Sequence, residues 1–131
     1  MEERSINQHP VPATPQPERL GAMVETFKAL SDLTRAQIVL MLADGEQSVG
    51  ELTQRLETPQ STVSRHLAVL RAARLVQTRR SATKVYYRLV NNHVAALVQQ
   101  AYSHSDHEVL GLPDHDPQPP QEPAVNRARL R

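Results

Sequence analysis

The sequence predicts a mainly α-helical fold with one small β-hairpin, and three observations carry that expectation. Apolar residues recur at three- and four-residue spacing in successive stretches from Leu20 to Leu70 and again from Val94 to Tyr102, the pattern of helices that each bury one face. Between those regions, from Val76 to Leu89, the period falls to two, the alternation of strands. Nine of the ten prolines lie within the first 17 residues or from Pro113 onward, so the packed body is only about 90 of the 131 residues. A body of that size buries a modest share of its surface and gains from pairing with a second copy.

Residues 1–17, with Pro10, Pro12, Pro15 and Pro17, read as a flexible N-terminal arm, because proline withholds the N–H a helix needs and the stretch has little apolar content. Leu20, Met23, Val24, Phe27 and Leu30 then mark a first helix. Ile38, Val39, Met41 and Leu42 mark a second, packed with it and ending near Asp44 and Gly45. Ser48 stands three residues before Glu51, a reciprocal capping pair at the head of a short helix carrying Val49, Leu52 and Leu56. Thr58 as N-cap and Pro59 as first helical residue open the next helix, which buries Val63, Leu67 and Leu70. In the hairpin, Val76, Thr78 and Arg80 face Val85, Tyr86, Tyr87 and Leu89 across the tip Ser81, Ala82 and Thr83. No glycine or Asn-Gly occupies that tip, so a loop longer than two residues is expected. Asn91 or Asn92 caps a last amphipathic helix holding Val94, Leu97, Val98, Ala101 and Tyr102. The predicted organisation is thus an arm over 1–17, one packed domain over 18–110, and a flexible tail over 111–131.

Charge narrows the function. The formal net charge is +1, yet the stretch from Arg55 to Arg88 holds eight basic residues against the single acid Glu57. From Asp106 to Glu122 every charged side chain is acidic. One region suits a polyanion and the next a cation. With no cysteine, disulfides, thiolate metal sites and cysteine nucleophiles are excluded. No apolar run reaches the ~20 residues of a membrane span and residues 1–20 lack a signal-peptide core, so a soluble, cytoplasmic protein is expected.

Three helices, a short recognition helix and a basic two-stranded hairpin form an arrangement that docks on duplex DNA, the helix in the major groove and the hairpin on flanking phosphates or in the minor groove. Gln60, Ser61, Thr62, Ser64 and Arg65 offer short polar donors and acceptors at the N-terminal end of the recognition helix, where base edges are met. Arg79, Arg80, Thr83 and Lys84 on the hairpin are expected to meet phosphates.

Three stretches sharpen this: Ala29-Leu30-Ser31-Asp32-Leu33-Thr34-Arg35, Ser61-Thr62-Val63-Ser64-Arg65-His66-Leu67-Ala68-Val69-Leu70 and Val85-Tyr86-Tyr87-Arg88-Leu89. Together they resemble the ArsR/SmtB family of winged-helix metal-sensing transcriptional regulators over about residues 20–108. The resemblance implies a winged helix-turn-helix homodimer that represses by covering its operator and is released when an effector binds. Leu33 departs from the family's usual proline, Arg74 from the glycine after the recognition helix, and Ala82 from the wing glycine. His66 is the histidine the family shows within that helix and is read as a packing residue.

Four of the six histidines lie between His93 and His115. At about 100° per residue, His104 returns to within about 20° of His93 on a helix, and His107 to within about 40°. Along the axis, however, His93 and His104 stand about 16 Å apart, while each ligand of one ion must approach within about 2.1 Å. Two antiparallel copies of the helix would set His93 of one chain opposite His104 and His107 of the other, and symmetry would make two sites. The resemblance adds that the interhelical site of the zinc, cobalt and nickel sensors falls on Asn91, His93, His104 and His107. Asn91 replaces that pattern's aspartate, so the missing oxygen is sought from Asp106, Glu108, Asp114, His115 or Asp116. The nickel and cobalt branch resembles this chain in having an extra C-terminal histidine, where His115 stands, and in using its arm, whose one histidine is His9. Nitrogen and oxygen donors suit nickel, cobalt or zinc rather than thiophilic ions.

Other functions fit less well. His104-Ser105-Asp106-His107-Glu108 matches neither H-E-x-x-H nor H-x-x-E-H, and no glycine-rich phosphate loop is present, so the chain is not read as an enzyme. The alternative is a winged-helix regulator without metal sensing, to which Asn91 points. A dimerisation adaptor on the same fold would lack salt-dependent DNA affinity.

Overall fold

The computed structural model describes residues 14–111, apart from the side chain of His107. It runs α1 (Pro17–Leu30), α2 (Leu33–Ala43), β1 (Gln47–Ser48), α3 (Val49–Leu56), α4 (Gln60–Ala72), β2 (Val76–Ser81), β3 (Lys84–Leu89) and α5 (Asn92–Leu110). The expected arm and tail fall outside the described residues except for 14–17 and 111. The chain divides into two compact units, Met1–Gln99 and Gln100–Arg131, and the buried core belongs to the first.

Ile38, Leu52, Val63, Leu67 and Leu70 have no exposed surface, and Val39, Leu42, Leu75, Val76, Val94 and Val98 join them. Each fully buried leucine or isoleucine contributes about 1.5–3 kcal/mol relative to exposure. Two helices start on side-chain caps. Asp32 Oδ2 accepts from the Arg35 N–H at 3.0 Å to start α2, and Ser48 Oγ accepts from the Glu51 N–H at 3.1 Å to start α3.

Both α3 and α4 close in the same way. The Thr58 N–H donates to Thr53 O at 3.4 Å and Glu57 N–H to Gln54 O at 3.3 Å; after α4, Leu75 N–H donates to Leu70 O at 3.0 Å and Arg74 N–H to Arg71 O at 2.9 Å. This is the Schellman pair of bonds, which demands a left-handed residue. Glu57, with φ of 50°, and Arg74, with φ of 60°, supply it without being glycine.

Four expectations need correction. The apolar stripe of α1 packs only at its C-terminal end: Leu30 lies against the core beside the buried Ala29, while Leu20, Met23, Val24 and Phe27 keep between 41% and 49% exposure. The second is the start of α4: its N-cap is Pro59, whose carbonyl accepts from Thr62 and Val63, while the Thr58 hydroxyl turns back to donate to Leu56 O at 3.0 Å. The wing tip is shorter than expected. Ser81 pairs with Lys84, leaving the two-residue turn Ala82-Thr83, and Ala82 takes φ of 54°, the left-handed value a tight hairpin turn requires. In α5, Val94 and Val98 are buried, but Tyr102 is 64% exposed and Ala101 is also exposed.

The sheet also has a third strand, in the order β1-β3-β2, with Gln47 opposite Tyr87 and Ser48 opposite Tyr86. Gln47 is buried and its amide is bonded at both ends, its Nε2 donating to Met41 O at 2.9 Å and its Oε1 accepting from Arg55 at 2.8 Å.

Candidate DNA interface and metal-ligating positions

The recognition helix α4 turns Val63, Leu67 and Leu70 inward, and helical spacing leaves Gln60, Ser61, Ser64 and Arg65 exposed on the opposite side, with Thr62 half-buried between the faces. A cleft of about 480 Å³ separates the start of this helix from the wing tip, lined by Gly50, Glu51, Gln54, Gln60, Thr83 and Lys84 among others. Arg80, Thr83 and Lys84 are exposed at the outer end of the β2–β3 ladder. Helix and wing therefore present their polar groups in one molecular unit.

His66 projects from α4 into a junction with α1 and α2. Its Nδ1 lies 3.4 Å from Arg35 NH1 and 3.7 Å from Asp32 Oδ2, and Arg35 Nε in turn donates to Ala29 O at 2.6 Å. The Arg35 backbone N–H, and then the charges of Arg35 and His66, hold the Asp32 carboxyl below its ordinary value. The junction ties the recognition helix to the end of α1.

Arg79 differs from its wing neighbours. Its guanidinium is bonded to the Glu46 carboxylate, from Nε at 3.1 and 3.3 Å and from NH2, and lies 4.7 Å from the centroid of the Tyr86 ring. The hydrogen bond lowers the Glu46 pKa and raises that of Arg79. The expected phosphate ligand is thus engaged within the chain. Its partner Glu46 stands thirty-three residues away and carries no periodic or motif signal by which sequence reasoning could find it.

On α5, Asn91 Oδ1 accepts from the His93 N–H at 3.0 Å and the Val94 N–H at 3.2 Å, so the side chain named as a possible ligand serves as the helix cap. His93 is exposed, in the first compact unit; His104 is exposed, in the second. The side chain of His107, and His9 and His115, lie outside the described residues. Among the described residues no three His, Cys, Asp or Glu side chains gather as an ion would require. The available donors are imidazoles without thiolate, a set that fits zinc, nickel or cobalt.

A family model for bacterial regulatory proteins of the arsR family matches residues 32–78. The transcriptional regulator KmtR of Mycobacterium tuberculosis is 48% identical over 98 residues, 75% of each chain. NmtR of the same organism, also a transcriptional regulator, is 36% identical over 107 residues, covering 81% of this chain and 89% of that one. Among solved structures, HlyU from Vibrio cholerae superposes with a TM-score of 0.65 at 40% identity, covering 68% of this chain and 97% of HlyU. A homodimeric winged helix-turn-helix DNA-binding domain from Mycobacterium bovis gives 0.67 at 29% identity, covering 76% of this chain and 92% of that one.

Proposed function

The chain belongs to the ArsR family of bacterial regulatory proteins, as a winged helix-turn-helix transcriptional regulator and not an enzyme, and on that premise we propose that it is a metal-responsive repressor. The observation that carries the DNA half is the exposed face of Gln60, Ser61, Ser64 and Arg65 beside a wing tip bearing Arg80 and Lys84. Short polar groups at a helix N-terminus read base edges, and the wing cations meet phosphates.

The repressor acts as a homodimer in the cytoplasm. The half-exposed stripe of Leu20, Met23, Val24 and Phe27 supports pairing, since a chain of this size gains from covering it. Two-fold symmetry then also sets paired recognition helices on successive major grooves.

His93, His104 and His107 would hold zinc, nickel or cobalt across two chains, for the reason of reach given by helical rise. Bound there, the ion supplies a cross-link between the final helices of the two protomers. Asn91 is committed to capping, so the remaining ligand is sought from His115 or the acidic residues around it. Imidazoles must be neutral to coordinate, so affinity weakens as pH falls. By linkage, release requires that the DNA-incompetent dimer bind metal more tightly, commonly by about 5- to 150-fold.

The test is a titration of the purified chain with zinc, nickel and cobalt in turn, with affinity for a duplex selected from a random pool measured at each step. Release by one of these ions, lost in His104→Ala while metal-free DNA binding is kept, is the expected result. Undiminished release in His104→Ala removes the proposed site, and no release by any of the three leaves a winged-helix regulator that answers to something else.

A further inference from the structure

Resting on the DNA-binding reading above, we propose that Glu46 is a positioning residue for the wing. With Arg79 it forms a strap across the sheet that fixes the angle at which Arg80, Thr83 and Lys84 meet DNA. The register shows why the strap has this reach. Arg79 stands opposite Tyr86, and Tyr86 opposite Ser48, so a side chain running from Arg79 to Glu46, two residues before Ser48, crosses the middle strand to the far edge. The Arg79 guanidinium does so over the Tyr86 ring and ends in a two-pronged bond to the Glu46 carboxylate.

Such a fork fixes direction as well as distance, which a point charge does not. The hairpin has need of it. Two strands alone are marginally stable, and the third contributes only Gln47 and Ser48. Arg88, the other cation acting on Glu46, donates to Gln77 Oε1 at 3.1 Å and so braces the same sheet.

Charge alone predicts the reverse of this role. An anion among Arg79, Arg88 and the tip cations weakens the field that draws phosphates, so its removal should tighten binding if Glu46 merely competes for Arg79. A positioning role predicts looser binding. The sign of one substitution therefore separates the two.

The experiment compares the full chain with Glu46→Gln, Arg79→Lys and the double variant by fluorescence anisotropy over a salt series. The probes are the duplex selected from a random pool by the wild-type chain and a mixed-sequence duplex of equal length. Glu46→Gln and Arg79→Lys should each weaken the selected duplex by about threefold to tenfold, and the double variant no further. Salt slope and mixed-sequence affinity should stay as in the wild type. Unchanged affinity for the selected duplex, or tighter binding to both probes with a slope steeper by about 0.9, overturns the proposal. Arg80→Ala and Lys84→Ala test the underlying reading separately. Each should flatten the slope by about 0.9. If neither does, the wing is not on DNA; if they do while Glu46→Gln is inert, only the strap is lost.

Discussion

Replacing Arg74 by glycine should stabilise the protein, by an amount that the backbone sets. Arg74 sits at φ of 60°, where a Cβ crowds the neighbouring carbonyl at a cost of about 1–2 kcal/mol. It cannot leave that conformation, because its N–H and that of Leu75 close α4 onto Arg71 and Leu70, and Leu70 and Leu75 are both buried. Glycine removes the crowding but adds about 0.5–1 kcal/mol of freedom to the unfolded chain, and the midpoints of the two ranges leave a net gain of about 0.75 kcal/mol. The Arg74 side chain is exposed, and Arg74→Ala, which keeps the Cβ, controls for its loss. In urea, with a slope of about 2 kcal/mol/M, the glycine variant should unfold about 0.25–0.5 M later than the alanine variant. Protomer concentration is held fixed throughout, since association feeds into apparent stability. Equal midpoints for Arg74→Gly and Arg74→Ala would refute the reasoning.

Leu67→Ala should cost about 2–5 kcal/mol, because Leu67 has no exposed surface and lies within the apolar core; a loss below about 1 kcal/mol in urea would contradict the packing described. Arg65→Ala should weaken the selected duplex more than mixed-sequence DNA in anisotropy titrations, by about tenfold for a bidentate base contact, and equal losses would deny it a base-reading role. Asp32→Asn tests the acid limb. The folded carboxyl titrates below its ordinary 3.8, so its contribution is complete above that value and is lost as pH falls through the lower folded one. Asparagine keeps the cap but not that dependence, so its urea midpoint should fall less steeply below about pH 4 than the wild type's; parallel curves would exclude the linkage.

Local signals make most of the fold legible. Val63, Leu67 and Leu70 announce α4 by spacing, and Ser48 with Glu51 announces the start of α3, because both rest on contacts within one helical turn. What escapes the sequence depends on distant partners or on backbone strain. β1 is two residues long and has no period of its own; only β3 makes it a strand. The tip reads as a longer loop because Ala82 lacks the residue type that a tight turn favours, yet the ladder holds it at φ of 54°. The α1 stripe reports amphipathicity but not which surface covers it. In the site, the exposed recognition face and the Asn91 cap are readable, whereas the duty of Arg79 is set by the distant Glu46.

The tight wing tip makes the hairpin a ruler. Since the strands pair up to Ser81 and Lys84, growth at the tip lengthens a ladder and not a slack loop. One residue added to each strand extends the ruler by about 3.4 Å, close to one base-pair step, but turns the tip cations to the other side of the sheet. Two residues per strand restore the facing and carry the tip about 7 Å further from the sheet. Within this architecture the reach of the tip cations can thus be lengthened, with their facing kept, only in even increments.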